Sequence, residues 1–103
     1  MKKVVYIAHP ISGDVKNNMD KIAKIIRDIA MNDRMTIPFA PYFAMLAAFD
    51  DSIPEERERG IVNNLEFFSK GFIDELWIYG EPTKGMQMEM EMANEFNIPI
   101  IQK

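Results

Sequence analysis

The run KVVYIA at positions 3–8 restricts the fold more than any other stretch of this chain. After Lys3 it is unbroken apolar sequence, β-branched and aromatic residues together, with no polar residue to mark a wet side. A strand with one solvated face alternates; a strand covered on both faces does not, and that is the situation inside a parallel sheet whose crossover helices lie above and below it. The run stops at HPISGD, where Pro10 and Gly13 mark a turn. Asp14 then supplies an N-cap, and Val15, Met19, Ile22, Ile26 and Ile29 recur at three- and four-residue steps, which predicts a helix of about four turns.

The rest of the chain repeats this alternation. MTIPFA (35–40) reads as a second short strand, with Pro38 placing it at an edge or marking its end. PYFAMLAAF (41–49) reads as a short helix or a pocket wall. DDSIPEERERG opens a helix from about 54 to 70, with Ser52 as its cap and Pro54 near its first position. DELWIYG (74–80) and IPIIQ (98–102) are the third and fourth buried strands. The expectation is an α/β fold, a flavodoxin- or Rossmann-like three-layer sandwich around a mainly parallel four-stranded sheet, forming one domain over residues 1–103. In such sheets ligands sit beyond the carboxyl ends of the strands, where strand order reverses. The loops to watch are 9–14, 39–53 and 80–86.

Composition narrows the partners. A chain with 48% apolar and 27% charged residues is globular rather than disordered. Its net charge of -4, with no cluster of Lys or Arg, argues against a nucleic acid polymer as partner and leaves a single nucleotide open. With no cysteine and one histidine, disulfides and a zinc constellation are not expected, nor is any other metal or organic cofactor. The opening MKKVVYIAHP has too short an apolar core for a signal peptide, and no stretch approaches the roughly 20 apolar residues of a membrane span. A soluble, cytoplasmic protein without membrane contact is expected.

TKGMQMEMEMANEF (83–96) poses the question on which the site turns. Methionine alternates with polar residues, the period of a strand, yet residues 84–96 hold no β-branched side chain and are mostly good helix formers. Two parallel strands at 74–80 and 98–102 also need a crossover between them. A helix is predicted. On a wheel of about 100° per residue, Met86, Met90, Ala93 and Phe96 share one side with Glu89, while Gln87, Glu91, Asn94 and Glu95 share the other. An inward carboxylate is costly unless paired or used. Near the start of its helix, Glu89 has the helix dipole to keep it ionised, as a nucleophile requires. The alternative is a buried ion pair or hydrogen bond with no function.

VYIAHPISGD, DELWIYG and TKGMQMEMEMANEFNIPII together resemble the nucleoside 2-deoxyribosyltransferase-like superfamily, chiefly its small bacterial and phage members and more remotely the nucleoside 5'-monophosphate N-glycosidases. The most specific part of the likeness is Ser/Thr-x-Gly-x-x-x-Glu, here Thr83, Gly85 and Glu89, followed by Ala93 and NIPII. The resemblance implies that Glu89 attacks C1' of a (deoxy)ribose, that the base departs, and that a second base or water collects the sugar. It implies that Tyr6 hydrogen-bonds the nucleophile. Thr83, Gly85 and Met86 become substrate-binding candidates with it.

Departures from that pattern fall in the first loop. Where phosphate-gripping members carry an arginine, this chain has Ser12; Ser12 and Gly13 offer donors to a phosphate while Asp14 repels one. His9 is either a hydrogen-bonded loop residue or a group that stacks on a base. Tyr42 is expected to wall the base pocket. Asp51 is the choice within FDDSIPEE for contacting base or sugar hydroxyls, the alternative for that run being a capped, solvated helix start; Glu55 and Arg59 read as a surface pair.

The activity expected is cleavage or transfer at the N-glycosidic bond of a nucleoside or nucleotide. The alternative is a nucleotide-binding protein that does not turn over, a sensor or a sponge for a nucleotide signal; a structural interaction module would bind no nucleotide at all. Phe67, Phe68, Met88 and Met92 are expected to be covered by a second copy, giving a homodimer or higher homo-oligomer.

Overall fold

The computed structural model describes residues 1–103. Strand β1 (Lys3–Ala8) leads to helix α1 (Val15–Asn32), β2 (Thr36–Phe39), α2 (Tyr42–Ala48), α3 (Pro54–Glu66), a 3₁₀ turn (Phe67–Lys70), β3 (Glu75–Ile78), α4 (Lys84–Glu95) and β4 (Ile100–Gln102). All three strand pairings are parallel and the order is β2-β1-β3-β4. The sheet is wholly parallel, as the alternation of runs predicted in the main, and its strand order is flavodoxin-like. Pro38 lies on the edge strand β2, where its missing N–H is tolerated.

Each central strand buries alternate residues on opposite faces, which is why no polar period shows in its sequence. Tyr6, Ala8, Leu76 and Ile78 join Tyr42, Phe68, Met86 and Ala93 in the larger core cluster. Val5, Ile7 and Trp77 form a second cluster, against Ile25 and Ile29 of α1. Helix α1 therefore contributes to both, Ile22 to the larger cluster and Ile25 and Ile29 beside the second, while Tyr42 of α2 and Met86 and Ala93 of α4 belong to the larger one alone. Tyr6 is central: its ring lies 4.7 Å from that of Phe68, 6.0 Å from Phe39 and 6.1 Å from Tyr42.

Several local expectations meet the structure directly. Asp14 caps α1 by accepting from the Asn17 amide, and Ile22 is the fully buried member of the predicted stripe. Pro54 opens α3, but its cap is Ile53, not Ser52; Ser52 is held instead by Asp50, which accepts from both its amide and its hydroxyl. The expected Glu55–Arg59 pair does not form, since the i, i+4 ion pairs of this chain are on α1 and between Glu66 and Lys70. Phe68 is 1% exposed within this chain's own core, so it cannot serve an interface between copies.

Candidate functional site

The TKGMQMEMEMANEF segment is helix, capped by Thr83, whose side chain accepts from the Met86 amide at 3.3 Å. The cap fixes where α4 begins and therefore which side chains face the sheet. Met86 and Ala93 are buried, Met90 packs against the core, and Glu89 lies on the same side; Gln87, Glu91, Asn94 and Glu95 are exposed. Phe96 departs from the wheel, 40% exposed, because the helix ends at Glu95 and the chain has turned by then.

Glu89 lines a cavity of about 310 Å³. The walls come from the segments that follow the carboxyl ends of the strands: His9 and Ser12 after β1, Tyr42 and Asp51 after β2, and Thr83, Gly85 and Met86 after β3. These eight sequence-derived candidates thus meet in one place. It is the place where the strand order reverses, between β1 and β3. The volume lies at the lower end of the roughly 300–1,000 Å³ typical of small-ligand sites.

Two candidates are not in the wall. Gly13 is absent from the lining, and its φ of +97°, with open space where a Cβ would stand, shows what the residue is for: it makes the turn into α1 rather than letting a ligand approach. Tyr6 sits behind the wall, fully buried. Its hydroxyl has no hydrogen-bond partner of good geometry, although Glu89 is near enough that each perturbs the other's titration. The pair is adjacent and unclosed. A buried hydroxyl left so costs about 1–3 kcal/mol.

The electrostatics of Glu89 differ from the sequence expectation. Its carboxyl is not held ionised; burial pushes its pKa up to about 7, with the Tyr6 hydroxyl offsetting part of the rise. The reason is position. Glu89 is in the second turn of α4, past the four unpaired N–H groups of the helix start, and the dipole's effect is confined to the first turn. Desolvation therefore wins. Burial, and then the Glu89 charge, raise the Tyr6 hydroxyl well above its ordinary value.

The remaining candidates have clear local roles. Tyr42 lines the cavity and donates its hydroxyl hydrogen to the Ile7 carbonyl, which fixes its ring. His9 lies 2.7 Å through Nδ1 from the Pro10 carbonyl; a carbonyl can only accept, so Nδ1 carries the proton and Nε2 is left free. The Asn18 amide donates to the Ile11 carbonyl and ties the first loop to α1. Gly85 sits in the first turn of α4 with no close neighbour beyond Thr83 Oγ1 at 4.0 Å, so the fold does not demand glycine there, and the residue borders the cavity.

The helix α3 was expected, but its cavity-lining face was not. Arg57, Ile61, Asn64 and Leu65 all line the cavity, at steps of four, three and one, which is a single helical stripe. Arg57 and, at the head of α4, Lys84 bring cations that no ion pair neutralises. Asn64 is 7% exposed and its Oδ1 has no hydrogen-bond partner. The stripe period was present in the sequence, hidden inside a charge-rich run that reads equally well as a solvated face.

A family model described as a domain of unknown function, DUF7768, matches residues 3–103, so the chain belongs to that family. No curated protein matches it.

Proposed function

For this member of the DUF7768 family we propose cleavage or transfer at the N-glycosidic bond of a nucleotide, with Glu89 as the nucleophile. The observation that supports it most is the pairing of a desolvated carboxyl with an unsatisfied tyrosine hydroxyl at the edge of a ligand-sized cavity. Such perturbed groups in clefts are characteristic of functional sites. The likeness of Thr83, Gly85 and Glu89 to the deoxyribosyltransferase-like motif supports the same reading. In the ionised form Glu89 attacks C1', forming an ester bond to the sugar as the C1'–N bond breaks; the base leaves with that electron pair and takes a proton from solvent. Water or a second base then attacks C1' and returns the carboxylate. The Tyr6 O–H, with no partner otherwise, donates to Glu89 whenever it is charged.

Arg57 and Lys84 at the rim, together with Ser12, favour a phosphorylated ligand over a free nucleoside. We place the protein in the cytoplasm, where such ligands are abundant, and as a homodimer. No helix is long and apolar enough to cross a membrane.

A second reading is favoured by the same pKa of about 7. At or below neutral pH much of Glu89 is protonated and cannot attack, which suits a protein that binds a nucleotide without turnover. Incubation with ribo- and deoxyribonucleosides and their 5'-monophosphates, with free base followed by chromatography, separates the two. Base release that disappears in Glu89→Ala and persists in Glu91→Ala supports the enzyme. Tight binding by calorimetry with intact ligand supports the sponge, and release that survives Glu89→Ala removes the mechanism.

A further inference from the structure

The chain has two fully enclosed side-chain polar atoms without a hydrogen-bond partner, Tyr6 Oη and Asn64 Oδ1. The first is accounted for by Glu89. The second finds no donor in the fold: Asn64 is more than nine-tenths buried and lines the cavity, and its Oδ1 accepts from no group of the chain. Buried polar groups in native structures are nearly always satisfied, so an orphan in a cavity wall is a group whose partner arrives with the ligand.

We propose that Asn64 reads the base of the nucleotide, its amide turning into the cavity to pair with an adjacent donor and acceptor on the base edge. This rests on the nucleotide reading above and adds to it a specificity-determining residue. Whichever way the amide is turned, one end accepts and the other donates, which is the complement of a nucleobase edge. The surroundings suit a flat ring. Ile61 and Leu65, the residues of α3 on either side of Asn64 along the stripe, present aliphatic surface, and Ile11 and Tyr42 contribute apolar surface from other segments of the same cavity. Arg57 lies seven residues, about 10 Å along the helix axis, before Asn64. A ligand with its base at Asn64 therefore has its phosphate within the reach of that cation.

The test compares wild type with Asn64→Leu and Asn64→Ala, using the 5'-monophosphates of adenosine, guanosine, cytidine and uridine and, as a ligand without a base, ribose 5-phosphate. Calorimetry gives affinities and thermal unfolding gives stability. For the tightest-binding monophosphate, both variants are expected to weaken binding at least tenfold. Their affinity for ribose 5-phosphate is expected to stay within twofold of wild type. Their melting temperatures are expected to equal or exceed the wild-type value, because no hydrogen bond is lost; a structural asparagine would do the opposite. Equal binding of the monophosphates by wild type and variants overturns the assignment of Asn64 alone, as does an equal loss on ribose 5-phosphate or a fall in melting temperature in both variants. If no monophosphate binds wild type, the nucleotide reading and the role of Asn64 fall together.

Discussion

At Glu89 two influences oppose each other, and the distance along the helix decides between them. Six residues into α4 the dipole has faded and burial dominates, so the carboxyl titrates near neutrality. The folded state then holds a proton that the unfolded chain releases at lower pH. Between pH 4.5 and about 7 the folded form binds more protons, so stability falls as pH rises through that window. Compared with Glu89→Gln, wild type is expected to lose on the order of 3 kcal/mol across it, measured by urea unfolding. A flat difference between the two would mean that Glu89 titrates as an ordinary surface carboxylate. Tyr6→Phe removes the hydroxyl that lowers the Glu89 pKa, so it should shift the alkaline-rising limb of the rate profile to higher pH while the protein stays folded. That Glu89 faces inward was legible once residue propensity and the required crossover made the segment a helix. Its charge state was not, because desolvation depends on how Tyr6 and the cavity wall close around it, which a helical wheel does not contain.

Among the elements, α4 brings the buried carboxyl to the cavity and α1 packs on the sheet. Thr83→Ala removes the cap that fixes the start of α4, at about 1 kcal/mol of stability, and it should depress base release more than that loss of stability explains. Ile22 is completely buried in α1, so Ile22→Ala is expected to cost about 2–5 kcal/mol in chemical denaturation. Glu91→Ala, on the exposed side of α4, should stay within about 0.5 kcal/mol of wild type. Helix α1 could be read from sequence because its apolar residues fall at helical steps, and α4 because its residue types and the crossover it must make overrule the alternation of its methionines. The cavity face of α3 could not: Arg57 and Asn64 are polar, and only the packing of α3 beside α2 and α4 reveals that their side of the helix borders a cavity rather than water. The sequence reading also placed a cap at Ser52 on residue type, where Asp50 competes for the same hydroxyl and amide.

On the scale of the whole molecule, the parallel α/β sandwich followed from alternating runs, and the order β2-β1-β3-β4 that the structure adds to it brings loops far apart in sequence around one crevice. The sheet leaves apolar residues uncovered, among them Ile37 on the edge strand, Val62 on α3 and Phe72, which are 44%, 56% and 40% exposed. Light scattering at micromolar concentration should return a dimer, and a monomer would contradict that assembly. In the proposed reaction the Glu89 carboxylate bonds to the sugar. Protein mixed with the 5'-monophosphate that yields free base, quenched in acid and digested, tests it by mass spectrometry of the peptide spanning α4. The account predicts a pentose-phosphate adduct on Glu89 that is missing in Glu89→Gln, and base release with the adduct on another residue would contradict it.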